Sequence, residues 1–258
     1  MVLTATPRSL PSSSSAPTVV LESGLAGSPL IWTIVAKLLE PDFRVVIHKR
    51  AGYADRLPQL AEQLRTALRQ AGIPAPFVVV AHSFGALVAR QFAVQYSRDT
   101  AGLVFVDGLP PTTRIPHHRL AGALLTVRFA ELVAAFRLTA PLLPLAAKHI
   151  QAVGWALAES QKLPGNIQTQ VIREWNRPLF YRALTQTLSA LPTNLRIAQA
   201  LQIPASIPTL TLHSDYPDPQ GRRIENSGHW IQIDQPYGVA AAIREVAEQA
   251  CHNRTRGV

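Results

Sequence analysis

The stretch Phe77-Val-Val-Val-Ala-His-Ser-Phe-Gly-Ala86 decides the fold, because it places one serine between a strand pattern and a helix pattern. Its first five residues form a short, uncharged, mostly β-branched run, which is typical of a strand covered on both faces. After the serine, residues that would share one side of a helix recur at three- and four-residue spacing up to Tyr96. Ser83 therefore lies on a tight turn between the two elements, and the small residues Ala81 and Gly85 flank it two positions away on either side.

Such a turn holds the serine hydroxyl clear of the sheet, while the first amides of the helix point at the group that this oxygen attacks. The pattern resembles the nucleophile elbow of the α/β-hydrolase superfamily, with Ala81 in place of the first glycine of Gly-x-Ser-x-Gly. The resemblance covers most of the chain outside residues 110–200. It includes three further stretches, which are Val19-Val-Leu-Glu-Ser-Gly-Leu25, Gly102-Leu-Val-Phe-Val-Asp107 and Ser227-Gly-His-Trp230.

The chain of 258 residues is long enough for one large α/β domain that carries an inserted subdomain. Cys251 is the single cysteine, so we expect neither a disulfide framework within the chain nor a cysteine-based metal site. Residues 1–17 are rich in Ser and Pro and lack the continuous apolar stretch of a secretory signal, which predicts a disordered N-terminal lead. Together with the lack of a long apolar segment, these features predict a cytoplasmic protein.

The formal net charge of +9 could indicate nucleic acid, an anionic membrane surface or a basic proteome. The arginines are scattered, and no stretch interleaves basic with aromatic residues, so we expect no nucleic-acid partner. Weak attraction to an anionic membrane surface, without integral membrane contact, is compatible with this charge. His117 and His118 are adjacent and make a poor chelating pair, and we expect neither a metal nor a cofactor.

Short apolar runs without polar alternation alternate with helical patterns along the first half of the chain. The helical pattern at residues 57–71 is an example, with an apolar stripe that ends before Gly72 and Pro74. This alternation predicts an α/β fold with a doubly wound, mostly parallel sheet. The predicted strands are Thr18–Ser23, Arg44–His48, Phe77–Ala81, Gly102–Val106, Thr209–His213 and Arg223–Glu225.

Residues 110–200 interrupt this alternation with long helical patterns and no convincing strand. They predict a helical cap inserted between a first core segment, residues 18–109, and a second core segment, residues 201–258. The apolar composition of the cap, with isolated arginines, predicts a pocket that favours uncharged or lipophilic acyl groups.

Two departures from the family pattern are expected. Little room remains before Thr18 for the two antiparallel strands that usually open the sheet, and the connection from His213 to Arg223 is too short for a full crossover helix.

A serine hydroxyl needs a base to become a nucleophile, and His229 is the predicted base. It follows the last predicted strand and precedes the terminal helix, so its loop reaches the same sheet edge as Ser83. This loop also resembles the Gly-His loop of the family, including Asp234 and Pro236 just beyond it. His82 adjoins the nucleophile and is expected to line the floor of the pocket.

An acyl-transfer site must also stabilise an oxyanion. The elbow offers the backbone amide of Phe84. Resemblance to the His-Gly-x turn of the family implies the amide of Leu25 as the second donor, in the glycine-rich turn after the first strand. Ser23 replaces the usual histidine of that turn.

Two positions compete for the acid that orients His229. Asp107 ends the strand that follows the elbow, whereas Asp215 and Asp218 follow the strand Thr209–His213. The family uses both locations, and the later one more often. We predict Asp107, because the later loop is shortened and Asp218 lies between two prolines.

These residues predict a serine hydrolase that cleaves a carboxylic ester, or less favourably an amide, of a small or lipophilic molecule through an acyl-enzyme. Serine at position 83 argues against haloalkane dehalogenase and epoxide hydrolase chemistry, which the same family performs with aspartate. The alternatives are an acyltransferase that uses the same site and a binding protein that keeps the fold without catalysis.

Overall fold

A computed structural model of the chain describes residues 2–4, 16–25, 27–50, 56–136, 138–214 and 221–255. They form a seven-stranded sheet in the order β1-β3-β2-β4-β5-β6-β7, in which only the pair β1/β3 is antiparallel. The strands are β1 (Val2–Thr4), β2 (Thr18–Glu22), β3 (Val45–His48), β4 (Phe77–His82), β5 (Thr100–Val106), β6 (Thr209–His213) and β7 (Arg222–Arg223). The predicted mostly parallel sheet is confirmed.

Helices connect the strands in the described ranges. The helices are α1 (Thr33–Leu39), α2 (Leu57–Gln70), α3 (Gly85–Gln95), α4 (His117–Ala135), α5 (Thr139–His149), α6 (Gln151–Gln161), α7 (Gly165–Trp175), α8 (Pro178–Ala200), α9 (Ile231–Asp234) and α10 (Pro236–Thr255). The predicted helical pattern at residues 57–71 corresponds to α2, and the long helical patterns predicted within residues 110–200 correspond to α4 through α8.

The central strands are buried along their whole length. All residues of β2, β4 and β5 are buried, which explains why their sequences are continuous apolar runs rather than alternating ones. Each fully buried aliphatic or aromatic side chain contributes roughly 1.5–3 kcal/mol to folding. One cluster of the core joins β4 and β5 to α2 and α3 and contains Val79, Leu103, Leu64, Leu68, Ala89 and Phe92.

The N-terminal strand β1 corrects the disordered lead that the sequence predicts for residues 1–17. Val2–Thr4 pair antiparallel with β3, in the register Val2 to His48 and Thr4 to Val46. The open edge of β3 offers unpaired backbone groups, and β-branched residues suit an added edge strand. One antiparallel strand therefore opens the sheet, while residues 5–15 of the predicted lead lie outside the described residues.

At the opposite edge, the short strand β7 pairs parallel with β6, in the register Leu212 to Arg222 and His213 to Arg223. The connection between them has too few residues for an ordinary crossover helix, which usually takes about a dozen or more. Residues 215–220 of this connection lie outside the described residues.

The chain divides into two compact units, residues 1–113 with 193–258, and residues 114–192. The first contains the sheet, and the second contains α4 to α7 and the first part of α8. The division differs from the predicted insertion of residues 110–200 because the end of α8 packs in the sheet unit. There the buried Asn194 accepts a hydrogen bond from the Leu57 amide at the start of α2 (3.1 Å), and Leu195 and Ala198 are buried. The role of residues 110–200 as a cap stays a prediction.

Candidate active site

Ser83 lies on the turn between β4 and α3. Its φ of +52° is in the left-handed region, which costs a non-glycine residue about 1–3 kcal/mol and is common at functional sites. Its amide donates to the Val106 carbonyl at 3.2 Å, and its carbonyl accepts from the Leu109 amide at 2.9 Å. These two hydrogen bonds hold the turn against the end of β5 and the residues that follow it. Ser83 itself is half-buried.

Gly85 gives this turn the space it needs. A Cβ atom at position 85 would lie 2.7 Å from the Ser23 carbonyl oxygen and 3.0 Å from that of Glu22. Both contacts are with backbone, which cannot move aside as a side chain can. Only glycine therefore allows the start of α3 to approach the end of β2 so closely.

Asp107 follows β5 directly and is held by the neighbouring strand. Its φ is +44°, and its amide donates to the Leu212 carbonyl at 2.8 Å. Its Oδ1 accepts hydrogen bonds from the Ser214 amide at 3.0 Å and from the Ser214 hydroxyl at 3.2 Å. The carboxylate is thus fixed at the carboxyl end of the sheet, one strand away from Ser83.

The other carboxylate oxygen of Asp107 contacts His229. The distance from Asp107 Oδ2 to His229 Nδ1 is 2.5 Å, and the two side chains are 14% and 34% exposed. Burial raises the pKa of the Asp107 carboxyl, but the hydrogen bonds from His229 and Ser214 outweigh burial and hold that pKa below its ordinary value. An ionised Asp107 that accepts from Nδ1–H leaves the Nε2 atom of His229 as the one that can take up a proton.

Local hydrogen bonds shape the loop that carries His229. Asn226 has a φ of +55°, and the Ser227 hydroxyl donates to the Ile224 carbonyl at 2.8 Å. The Gly228 amide donates to Asp234 Oδ2 at 2.7 Å. Asp234, singled out by the sequence because it lies just beyond His229, therefore closes the loop onto α9.

His82 contacts His229 through both its ring and a hydrogen bond. Its ring packs against that of His229 with the centroids 4.5 Å apart, and its Nε2 lies 2.9 Å from the His229 carbonyl oxygen. A carbonyl only accepts, so Nε2 carries the hydrogen. Burial, reinforced by the charge of His229, lowers the pKa of His82 to about 3 and keeps it neutral. The sequence placed His82 beside the nucleophile but gave no signal for this contact.

The turn after β2, in which Leu25 lies, adjoins Ser83. A Cβ atom on Gly24 would lie 2.9 Å from Ser83 Cβ and 3.0 Å from His82 Nδ1, so the backbone of the turn packs directly on the elbow. Leu25 follows in this turn, and Phe84 follows Ser83 at the start of α3. The structure therefore brings together the two segments that carry the predicted oxyanion donors, whose role stays a prediction.

A buried charged cluster lies behind this turn. Glu22 is fully buried at the end of β2, its Oε2 is 2.5 Å from His48 Nδ1, and its Oε1 is 3.4 Å from Arg50 Nε. The Arg50 guanidinium also donates to the Gly24 carbonyl and lies 5.3 Å from the centre of the Phe84 ring. Sequence reasoning missed this cluster, because its members have no recognisable spacing.

Some predictions concern residues that this arrangement does not include. Asp215 and Asp218, the alternative acids, lie outside the described residues. Among the residues that the structure does describe, no group of His, Cys, Asp and Glu side chains could hold a metal ion. Within the same ranges, no helix combines the length and apolar composition that crossing a bilayer requires.

The sequence matches the alpha/beta hydrolase family over residues 19–242, which include both segments of the sheet unit and the helices between them. The chain belongs to this family. Ser83, Asp107 and His229, the residues predicted as nucleophile, acid and base, follow one another in that order along the chain.

Curated relatives of this alpha/beta hydrolase match it over part of its length. The protein named "Putative carbamate hydrolase RutD" from Shigella flexneri is 37% identical over 109 residues, which are 39% of this chain and 41% of that protein. An "AB hydrolase superfamily protein" from Gibberella zeae is 31% identical over 103 residues, which are 35% of this chain and 32% of that protein. The matches thus span less than half of these relatives.

Solved structures match the alpha/beta hydrolase over nearly its full length at low sequence identity. A "putative epoxide hydrolase t131d mutant" from Pseudomonas aeruginosa has a TM-score of 0.71 at 17% identity and covers 98% of this chain and 97% of its own. A thermophilic esterase from Thermogutta terrifontis, with malate bound, has a TM-score of 0.66 at 18% identity and covers 97% and 99%. At these identities the likeness concerns the fold alone.

Proposed function

We propose that this alpha/beta hydrolase is a serine hydrolase that cleaves a carboxylic ester, and less favourably an amide, through an acyl-enzyme. The observation that carries the proposal is the 2.5 Å contact between Asp107 Oδ2 and His229 Nδ1. It lies at the sheet edge where Ser83 is held on a left-handed turn. A nucleophile, a base and an orienting acid are the three groups that acyl transfer to a serine requires.

In the proposed mechanism, Ser83 Oγ attacks the carbonyl carbon of the ester while His229 Nε2 takes the hydroxyl proton. The Asp107 carboxylate stabilises the imidazolium that forms. The backbone amides of Phe84 and Leu25 stabilise the negative charge on the carbonyl oxygen.

The C–O bond to the leaving alcohol then breaks, and His229 returns the proton to that alcohol. His229 then takes a proton from a water molecule that attacks the acyl-enzyme, and it passes this proton to Ser83 Oγ as the acyl–Oγ bond breaks and the carboxylic acid leaves.

The neutral state of His82 supports this assignment. His82 is in ring contact with His229, and a charged His82 would oppose the formation of an imidazolium at His229. Its pKa of about 3 leaves His229 as the member of the pair that can become positive during turnover.

Carbamate is a second candidate substrate class. The relative from Shigella flexneri carries the name of a carbamate hydrolase, and a carbamate presents the same carbonyl carbon to a serine. The proposed steps apply to esters and carbamates alike, so the leaving group and the pocket would determine which of the two is the better substrate. An acyltransferase would follow the same first half of the mechanism, with an alcohol or thiol in place of water.

Labelling with a fluorophosphonate probe tests the proposal against the alternative of a binding protein without catalysis. The wild-type protein should label at Ser83, and Ser83→Ala should neither label nor hydrolyse p-nitrophenyl esters, with a loss of turnover of about 10⁴-fold or more. Ser97→Ala, at an exposed serine before β5, is the matched control and should keep both properties. Substantial activity in Ser83→Ala would overturn the mechanism.

A panel of p-nitrophenyl esters and carbamates with graded acyl chains would then define the substrate class. The apolar composition of residues 110–200 supports a preference for uncharged or lipophilic acyl groups. Highly charged esters as the best substrates would contradict that preference, and transfer to an added alcohol faster than hydrolysis would favour the acyltransferase.

A further inference from the structure

Helix α4 and its C-terminal cap residue together present four large apolar side chains to solvent. Leu125, Phe129, Leu132 and Phe136, which we call the apolar stripe, are between 56% and 70% exposed. They are spaced four, three and four residues apart, which brings them onto one face of α4 and its C-terminal cap. Exposed apolar side chains are ordinary when scattered, but a continuous row of this size marks an interaction surface.

The opposite face of α4 accounts for the packing of this helix. Ala134 is buried, and Leu124 and Val127 are partly buried, so the helix packs through that face. The packing of α4 therefore does not depend on the side chains of the apolar stripe. Three leucines of the segment that follows α4 along the chain are exposed as well, namely Leu138, Leu142 and Leu145, at 41% to 55%.

The charges around the apolar stripe have one dominant sign. Residues 114–192 contain nine Lys and Arg residues and three carboxylates. Arg119 and Arg128 on α4 and Lys148 on α5 are exposed. Glu131 is the only acidic residue in these two helices, and its Oε1 lies 3.1 Å from Arg182 Nε. The surface that carries the apolar stripe is therefore both apolar and positively charged.

We propose that the apolar stripe docks this unit onto an anionic phospholipid surface. The four apolar side chains would enter the boundary between headgroups and acyl chains, and Arg119, Arg128 and Lys148 would contact lipid phosphates. The proposal is independent of the chemistry at Ser83.

The charge distribution favours lipid over a second copy of this chain. Pairing two apolar stripes would bring the basic residues of two identical units together, with a single carboxylate on each α4 to offset them. An anionic membrane instead supplies the missing negative charge at the edges of the apolar surface. Attraction of this kind weakens as salt is added.

Sedimentation with vesicles tests the proposal on the full chain. Vesicles of phosphatidylcholine mixed with phosphatidylglycerol should bind the wild-type protein at low salt, and vesicles of phosphatidylcholine alone should bind it much less. Replacing both aromatic residues, Phe129→Ser with Phe136→Ser, should lower the partition coefficient about tenfold or more. Replacing two basic residues, Arg119→Gln with Arg128→Gln, should lower it by a similar factor and reduce its dependence on salt.

Tyr237→Ser is the matched control, because Tyr237 is 75% exposed and belongs to the other unit. Circular dichroism checks that each variant is folded, and hydrolysis of a water-soluble ester reports on Ser83 separately. The proposal is overturned if the wild-type protein does not bind the mixed vesicles, or if Tyr237→Ser weakens binding as much as the Phe129/Phe136 pair. A wild-type dimer that this pair converts to a monomer would assign the apolar stripe to a second copy.

Discussion

The imidazole of His82 packs at a tilt against that of His229, and its Nε2–H donates to the main-chain carbonyl of His229 at 2.9 Å. The residue beside the nucleophile thus supports both the ring and the backbone of the proposed base. Because His82 is covalently next to Ser83, this contact couples the position of the base to that of the elbow. The arrangement assigns His82 a positioning role rather than a chemical one.

The buried state of His82 predicts how stability depends on pH. With a pKa of about 3 in the folded protein and 6.5 in an unfolded chain, His82 binds a proton only in the unfolded state over the interval between these values. The free energy of unfolding should therefore decrease as the pH falls through this interval, by up to about 1.4 kcal/mol per pH unit from this group. His82→Gln, which retains a donor for the His229 carbonyl, should show a shallower decrease in urea unfolding.

Ser97→Ala, at an exposed serine, provides the control and should keep the pH dependence of the wild-type protein. Parallel curves for wild type and His82→Gln would mean that His82 becomes protonated in the folded state. In that case, burial would not be what keeps the His82 imidazole neutral at the active site.

The identity of the acid can be decided by comparing three substitutions. Asp107→Asn should leave the fold intact and reduce turnover by about 10⁴-fold, because it removes the charge that stabilises the imidazolium of His229. The lowered pKa of Asp107 means that the loss should persist across the assay range instead of appearing only at high pH. Asp215→Asn and Asp218→Asn serve as controls and should remain active. A crippled variant at either later position, with an active Asp107→Asn, would move the acid to the later loop.

Arg50 should affect turnover without touching the substrate. Its guanidinium donates to the Gly24 carbonyl and pairs with the buried Glu22, so it fixes the turn that precedes the proposed Leu25 donor. Arg50→Met should lower kcat by about tenfold to a hundredfold, less than the roughly 10²–10³-fold loss caused by removing an oxyanion donor itself. KM should change little, because the oxyanion exists only in the transition state.

Arg222→Met is the appropriate comparison for Arg50→Met. Arg222 also pairs with a carboxylate, that of Glu245 at 2.8 Å, but both side chains are 40% or more exposed and such pairs contribute little. An equal effect of the two substitutions, or a rise in KM at constant kcat for Arg50→Met, would refute the role of Arg50 in the oxyanion turn.

Two glycine substitutions should change stability in opposite directions. Gly85→Ala forces a Cβ atom to within 2.7 Å of the Ser23 carbonyl and should destabilise the protein by about 1–3 kcal/mol, with loss of activity because the elbow must shift. Gly122 lies inside α4 with no heavy atom near its absent Cβ, so Gly122→Ala should stabilise by about 0.5–1 kcal/mol. Thermal unfolding distinguishes the two, and a tolerated Gly85→Ala would contradict the close approach of α3 to β2.

The sheet could be predicted from the sequence because its central strands have a characteristic residue pattern. Phe77 to Ala81 and Gly102 to Val106 are continuous apolar runs, which only strands buried on both faces require, and the change to helical spacing after Ser83 marks the turn. The position of Asp107 at a strand end was sufficient to place it at the sheet edge that His229 reaches. The edge strand β1 was not predictable, since Val2–Thr4 is stabilised mainly by pairing with β3 rather than by a pattern of its own.

Contacts that depend on the direction of a side chain could not be predicted from the sequence either. The donation from Arg50 to Gly24 joins residues that are far apart in sequence and whose spacing matches no motif. The ring contact between His82 and His229 depends on the direction in which the His82 side chain points at the end of β4. In the same way, the apolar composition of residues 110–200 predicted a lipophilic pocket, but composition cannot distinguish a face that packs from one that remains exposed, as the apolar stripe does.

The loop of His229 is closed by hydrogen bonds of its own, from Ser227 to Ile224 and from Gly228 to Asp234. Its side chain is held in addition by Asp107. The conformational entropy of the base is therefore lost when the chain folds and not when a substrate arrives. Binding energy from the substrate remains available for orienting the acyl group, so truncated substrates should lose affinity without disordering the base.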